Sequence, residues 1–260
     1  MKYENILFKV ENDVAVITFN RPKSLNVMDM ATTLELKNVI NECKEDEGIR
    51  AVILTGAGDK AFVAGADVTE LKDKNPSGVM KFLELGHSIL RLIETMDKPV
   101  VAAVNGFALG GGMEIAMACD IRFASDKARF GQPEVLLGFI PGWGGTQRLT
   151  RLVGIGRAKE LIMTGEQITA QRAYEIGLVN RIFPAERLMD EAMKFTQKLT
   201  KMPPFAIKMA KYAINYGYDL ALDNARNLEI QCVSQCFSTQ DLKEGLAAFL
   251  EKRKPNFMGR

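Results

Sequence analysis

PVVAAVNGFALGGGMEIAMACDIRFAS (residues 99–125) contains a strand, a glycine-opened helix and a second strand in immediate succession. PVVAAV is apolar on both faces, as a strand buried in a parallel sheet is. Gly110, Gly111 and Gly112 then open a helix that runs to Cys119, and IRFAS reads as the next strand. The alternation continues outward from this segment. AVILTG (residues 51–56) is a second apolar run bounded by glycine. Before it, residues from about 28 to 43 place Leu36, Val39, Ile40 and Cys43 at helical spacing. After it, residues from about 77 to 96 turn Val79, Phe82, Leu83, Gly86, Ile89, Leu90 and Ile93 to one face. At the start, ILFKV and VAVITF flank Asn12 and Asp13 as a β-hairpin would.

Strands alternating with helices predict an α/β architecture with parallel or mixed sheets and right-handed crossovers. From about Ala185 the strand signals stop, and three or four helices are expected. Pro203 and Pro204 suit a helix start, and Ser238 with Asp241 resembles a capping box. The expected division is an α/β core over residues 1–190, bearing the functional site, and a helical subdomain over residues 191–260. Such a subdomain can cover the core, a partner subunit, or both.

A chain of 260 residues can bury a substantial core, and its 47% hydrophobic and 25% charged content is that of an ordinary globular protein. A net charge of +2 and the lack of a basic, aromatic-interleaved tract argue against nucleic-acid binding. No apolar run approaches the roughly 20 residues that span a bilayer, so no membrane partner is expected. The polar start MKYENILFKVEND predicts no secretory leader. Cys43, Cys119, Cys232 and Cys236 lie in apolar or helical contexts, which fits a reduced cytoplasm. With His87 as the only histidine, a protein-only zinc site is not expected, and the one-turn spacing of Cys232 and Cys236 reads as helix packing.

Two glutamates need a reason to be where they are. Glu114 enters an otherwise apolar helix, and Glu134 follows Pro133 in the turn-rich FGQPEVLLGFIPGWGGTQRL (residues 130–149). Carboxylates are seldom buried without a partner or a task, and paired acid and base chemistry would be such a task. The plainer alternatives are a helix-terminal carboxylate favoured by the dipole, for Glu114, and a surface turn residue, for Glu134. The three glycines leave backbone N–H groups pointing out of a helix start, an anion or oxyanion site; a tight turn or a phosphate cradle would also need them. GxGxxG spacing is absent, and GIGRAK (residues 154–159) lacks a third glycine, so a dinucleotide fold is disfavoured. A second glycine loop, KAFVAGADVTEL (residues 60–71), follows the strand AVILTG, where α/β folds place ligand loops. Two such loops could converge two N–H donors on one oxyanion.

AFVAGAD, NGFALGGGMEIAMACD and FGQPEVLLGFIPGWGGTQRL resemble, in order and spacing, the three signature segments of the crotonase (enoyl-CoA hydratase/isomerase) family; the tail FLEKRKPNF resembles its C-terminal end. The similarity extends over essentially the whole chain. It implies a spiral of ββα units with a helical C-terminal subdomain, as in the ClpP/crotonase fold. It implies an acyl-CoA thioester gripped by the backbone N–H groups of Ala66 and Gly111. Glu114 then handles the water and Glu134 the proton at C2, in an enoyl-CoA hydratase acting in either direction on short chains. Substrate contacts are expected from Lys60, Ala64, Asp67, Val68, Thr69 and Gly110. Further contacts are expected from Gln132 and Pro133, which shape the Glu134 loop, and from Gly142 and Trp143 beside the acyl group. Position 69 is Thr where some relatives of the family carry Lys, which puts a basic contact there in doubt. CoA enters as part of the substrate, so no metal or other cofactor is implied. Trimers paired into a homohexamer are, with the C-terminal helix near a neighbour's CoA site. An isomerase or another acyl-CoA lyase on the same scaffold is the nearest alternative, and a non-catalytic RNA-binding relative is one of a different class.

Overall fold

Residues 3–260 are described in a computed structural model. Ile6–Glu11 (β1) and Val14–Phe19 (β2) form the expected antiparallel hairpin, turning at Asn12 and Asp13 with φ of 51° and 62°. Two left-handed residues are what a tight hairpin turn needs to match strand twist, and Asn and Asp tolerate that region well.

After Met30–Glu45 (α1), the chain repeats one unit three times. Ala51–Gly56 (β3) leads at once into the short Ala61–Val63 (β4), then into Val68–Leu71 (α2) and Pro76–Thr95 (α3). Val100–Val104 (β5) leads into Phe107–Leu109 (β6) and Gly111–Ala118 (α4). Ile121–Ser125 (β7) leads into Arg129–Gly131 (β8), a 3-10 turn at Pro133–Leu137, and Gly145–Val153 (α5). Ile155–Thr164 (α6), Ile168–Thr169 (β9), Ala170–Glu175 (α7) and Arg181–Phe183 (β10) complete the core strands, and Leu188–Leu199 (α8) follows. Pro204–Gly217 (α9), Leu222–Cys236 (α10) and Gln240–Leu250 (α11) close the chain.

The large sheet runs β1-β2-β3-β5-β7-β10, parallel except at β1, and the small sheet runs β4-β6-β8-β9, parallel except at β9. Because β3, β5 and β7 are neighbours and each is followed by a short link, β4, β6 and β8 become neighbours too. This is the spiral of ββα units that the family resemblance implies. Its consequence is positional: the loops leaving β4, β6 and β8 emerge side by side, and they are the three signature segments.

The large sheet is covered on both faces, as parallel sheets require. Val14, Val16, Ile53, Val101 and Phe123 pack under Leu188 and Ala192 of α8. The alternate residues Ala15, Ile17, Leu54 and Ala102 face the main core with α1 and α3. Thus α8 lies on the sheet and straddles residue 190, while α9 and α10 pack against each other.

Two local expectations change. α1 starts at Met30, not near Met28, because Met28 is extended and bridges to Ala66. α11 is capped by Thr239, whose hydroxyl accepts from Leu242 N at 3.1 Å. Ser238 instead donates to the Gln235 carbonyl at 2.7 Å. Asp241 is buried and accepts the N–H groups of Met258 at 2.7 Å and Gly259 at 2.9 Å, so it ties the chain end to α11. All four cysteines are free, and among the described residues no group of three or more His, Cys, Asp or Glu is gathered as a metal site. No helix there is long and apolar enough to cross a membrane.

Lys211 fastens α9 to the core: its ammonium donates to Asp120 at 2.8 Å and to the carbonyls of Ile93 and Lys98 at 3.1 and 3.2 Å. Removing one partner of a largely buried pair leaves the other charge uncompensated. Lys211→Met is therefore expected to destabilise the fold by about 3 kcal/mol, read as an earlier chemical-denaturation midpoint; an unchanged midpoint would show that the clamp contributes nothing.

Candidate active site

Glu114 stands in the first turn of α4, a helix whose eight residues are all buried. No side of α4 faces bulk solvent, and the carboxylate is satisfied on one oxygen by backbone. Its Oε1 accepts from the N–H groups of Trp143 at 2.7 Å and Gly145 at 2.6 Å. Glu134 sits in the 3-10 turn after β8, also buried. Its Oε1 lies 3.0 Å from where a Cβ on Gly110 would be, so a side chain there would press on that carboxyl, and the φ of +49° at Gly110 further favours glycine.

Both carboxyl groups border one cavity of about 620 Å³, and Ala66 and Gly111 border it with them. The Ala66 loop is held by Met28, which donates to Gly65 O and accepts from Asp67 N, each at 2.9 Å. The N–H of Ala66 between them has no partner among the described residues. Gly111, as the first residue of α4, likewise has no intrahelical acceptor for its N–H. The Ala66 nitrogen is 3.9 Å from the position of a Gly111 Cβ, which places the two loops in contact. Two free donors, one in the loop before α2 and one at the start of α4, therefore belong to residues that border the same cavity as the two carboxyls.

Burial pushes Glu114 up to about 7 against the pull of the Gly145 N–H, and the neighbouring Glu134 pushes it further. Burial likewise raises Glu134 to about 7. Repulsion between like groups is mutual, so near neutral pH the pair is best described as holding one proton between them. Gln132, fully buried, touches this equilibrium. With its amide nitrogen toward Glu134 it donates to the two carboxyl oxygens at 3.1 and 3.3 Å; turned over, it donates to the Gly110 carbonyl at 3.3 Å. The orientation with nitrogen toward Glu134 satisfies both ends of the amide and suits an ionised Glu134.

Of the residues expected near substrate, Ala64, Val68, Gly110, Pro133, Gly142 and Trp143 do border the cavity. Four do not. Lys60 lies at a separate hollow with Lys23 and Asp59, because the short link before β4 turns away from the site. Asp67 caps α2, accepts the Thr69 hydroxyl at 2.6 Å and pairs with Arg21 at 3.6 Å, so both Asp67 and Thr69 are engaged with the loop itself. Gln132 stands behind Glu134 rather than on the wall. Trp143 is not exposed: its ring fills the gap between α3 and α4, where a Cβ on Gly86 would collide with the indole and one on Gly111 would come within 3.3 Å.

The apolar wall was not anticipated. Leu71, Val79, Phe82 and Leu83 line one side, and Leu137, Phe139 and Ile140 the other. Val79, Phe82 and Leu83 were read as inward-facing, and helical periodicity marks a face without saying whether core or cavity lies beyond it.

Paired strands climbing in two sheets, with a two-carboxyl cavity at the ends of the small strands, define a crotonase-type fold and site. The chain belongs to the enoyl-CoA hydratase/isomerase family, whose profile matches residues 9–260. It is 51% identical over 254 residues to the short-chain-enoyl-CoA hydratase of Clostridium acetobutylicum, covering 98% of this chain and 97% of that one. It is 47% identical over 260 residues to the crotonyl-CoA hydratase of Syntrophomonas wolfei, covering all of both. The crystal structure of the enoyl-CoA hydratase from Bacillus anthracis superposes with a TM-score of 0.96 at 41% identity, over 99% of this chain and 100% of that one.

A carboxyl whose folded pKa is raised destabilises the fold as pH climbs from its unfolded value of 4.5 toward about 7, and the full cost holds above that. The shift of Glu114 corresponds to roughly 3 kcal/mol. Its amide replacement keeps an oxygen for the Trp143 and Gly145 N–H groups. Glu114→Gln is therefore expected to unfold at higher temperature than wild type at pH 8, with the advantage gone below about pH 4.5; a lower melting temperature at pH 8 would contradict the burial cost.

Proposed function

We infer that this protein is a short-chain enoyl-CoA hydratase, adding water reversibly to a 2-enoyl-CoA such as crotonyl-CoA to give the 3-hydroxyacyl-CoA. The observation that carries the reading is the placement of two buried carboxyls, both raised by burial to about 7, with two uncommitted backbone N–H groups in one apolar cavity. The names of the two bacterial relatives support the same substrate class.

In the proposed mechanism the thioester oxygen accepts from Ala66 N–H and Gly111 N–H. Water bonds through oxygen to C3 while Glu114 takes its proton. The C2–C3 π electrons move toward the thioester, charge collects on its oxygen, and Glu134 delivers a proton to C2. One proton leaves Glu134 and one arrives at Glu114, so the pair ends with the single proton it began with, transferred across the cavity. The two N–H bonds to Glu114 Oε1 favour the ionised form of that residue and so the role of base, which leaves the role of acid to Glu134. Two preorganised N–H donors at a developing oxyanion are often the largest single catalytic term, since losing one costs about 10² to 10³ in rate.

An isomerase needs only one carboxyl to move a proton between carbons, so the second buried carboxyl favours hydration. Every step is performed by side chains and backbone, and the reading invokes no cofactor beyond the CoA of the substrate. Residues 1–190 are assigned as the core bearing the site and residues 191–260 as the helical subdomain. A cytoplasmic homohexamer is part of the reading; its assembly is supported by apolar side chains left facing solvent on α9 to α11, including Ile214, Leu222, Ile230 and Phe249.

Purified protein is expected to bleach the enoyl-thioester absorbance of crotonyl-CoA. Glu114→Gln and Glu134→Gln should each lower kcat by about 10² to 10⁴; full activity in either variant would overturn the two-carboxyl mechanism, and loss in one alone would favour the isomerase.

A further inference from the structure

Gly144 adopts φ +96°, and the space its Cβ would take is filled by the Arg148 guanidinium. Arg148 lies in the first turn of α5. Its Nη1 donates to the Trp143 carbonyl at 2.6 Å and its Nε to Glu94 Oε1 at 2.5 Å, Glu94 being in the last turn of α3. Both side chains are mostly shielded, at 16% and 27% exposure, which keeps the pair from being an ordinary solvated surface contact.

Three successive peptide planes run through this strip. The first ends in the Trp143 N–H and the third in the Gly145 N–H, and both of these hold Glu114. The middle plane carries the Trp143 carbonyl, which Arg148 grips from the opposite side. Each plane is rigid, so the only freedom lies at the α-carbons between them. One of those α-carbons belongs to Gly144, the residue type with the widest backbone range. The third plane is anchored by α5 itself, since the Gly144 carbonyl accepts from the N–H groups of Gln147 at 3.0 Å and Arg148 at 2.9 Å; the Arg148 grip on the middle plane ties the Trp143 N–H to that anchored end.

We propose that Arg148, braced by Glu94, is a positioning residue for Glu114, locking the middle plane so that the outer two keep that carboxylate aimed into the cavity. The proposal rests on the reading of Glu114 as the base of hydration. The charged and titratable groups around Glu114 are Glu134 across the cavity and Arg148 from α5. Beyond Arg148, α3 contributes Glu94 and the exposed His87, whose Cε1 is 3.6 Å from the position of a Gly144 Cβ. Among these, Arg148 favours the ionised form of Glu114 and Glu134 opposes it. A lysine would preserve the charge but not the fork that reaches both Trp143 and Glu94.

The test compares Arg148→Met, Arg148→Lys, Glu94→Gln and the Arg148→Met/Glu94→Gln double variant with crotonyl-CoA as substrate. The Glu114 carboxyl is also titrated by infrared spectroscopy on glutamate-labelled protein, the band being assigned by its loss in Glu114→Gln. Arg148→Met is expected to lower kcat by about 10- to 100-fold, with KM largely unchanged. It should also move both the acidic limb of kcat and the infrared midpoint to higher pH, since a cation favouring the carboxylate has gone. Arg148→Lys should lose kcat but keep the acidic limb. Glu94→Gln should lower kcat, and the double variant should be no worse than Arg148→Met, because both act through one contact. An unmoved infrared midpoint in Arg148→Met, or losses that multiply in the double variant, would overturn the proposal. If Arg148→Met does not fold, an unchanged kcat in Glu94→Gln overturns it. A wild type that does not hydrate crotonyl-CoA defeats the proposed function alone; the infrared midpoint still decides whether Arg148 governs Glu114.

Discussion

A carboxylate enclosed in an apolar helix, answered by two backbone N–H groups and faced by a second carboxyl, is the constraint around which this molecule is arranged. α4 is buried on every side, so Glu114 is withdrawn from bulk solvent and meets only the cavity. Its stability as an anion comes from Trp143 and Gly145, and its reluctance to ionise comes from burial and from Glu134. These opposing influences leave a group poised near neutrality, which is where a general base is most effective. The same desolvation that makes the residue useful makes it costly to the fold, a pattern expected where function and stability compete.

The spiral supplies the geometry that such a pair needs. Successive strands of the small sheet are neighbours because successive strands of the large sheet are, and each small strand ends in a loop that reaches the site. The loop after β4 brings Ala66, the loop after β6 brings Gly111 and Glu114, and the loop after β8 brings Glu134. Residues about 70 positions apart in sequence, from Ala66 to Glu134, thus meet without any long excursion of the chain. Close contacts between the layers fix the spacing: Gly112 has no room for a side chain beside the Val63 carbonyl, so α4 sits directly against β4.

Much of this was legible in the sequence, and what was not has a physical reason. The hairpin and the amphipathic faces of α1 and α3 are long enough to show a period, and the runs at residues 51–56, 100–104 and 121–125 show as strand segments in an alternating order. β4, β6 and β8 have three residues each, too few for alternation to register, so the second sheet came only through the family resemblance. Glu114 and Glu134 stood out as carboxyls in apolar or turn-rich settings, and their roles were implied by the resemblance. Lys60, expected among the substrate contacts, borders a separate hollow and not the cavity, because the link before β4 turns away. Trp143, in a glycine-rich loop, is buried because Gly86 on a distant helix makes room for it, a pairing no local pattern reveals. The misplaced cap at Ser238 turned on one residue, since Thr239 offers the same hydroxyl one position later.

The central claim is that Glu114 and Glu134 act as a pair holding one proton, and the pH dependence of kcat/KM for crotonyl-CoA hydration tests it most directly. A shared proton predicts a bell with its maximum near neutral pH, falling on the acid side as the base is protonated and on the alkaline side as the acid loses its proton. A rate that stays level from about pH 5 to 9 would contradict it.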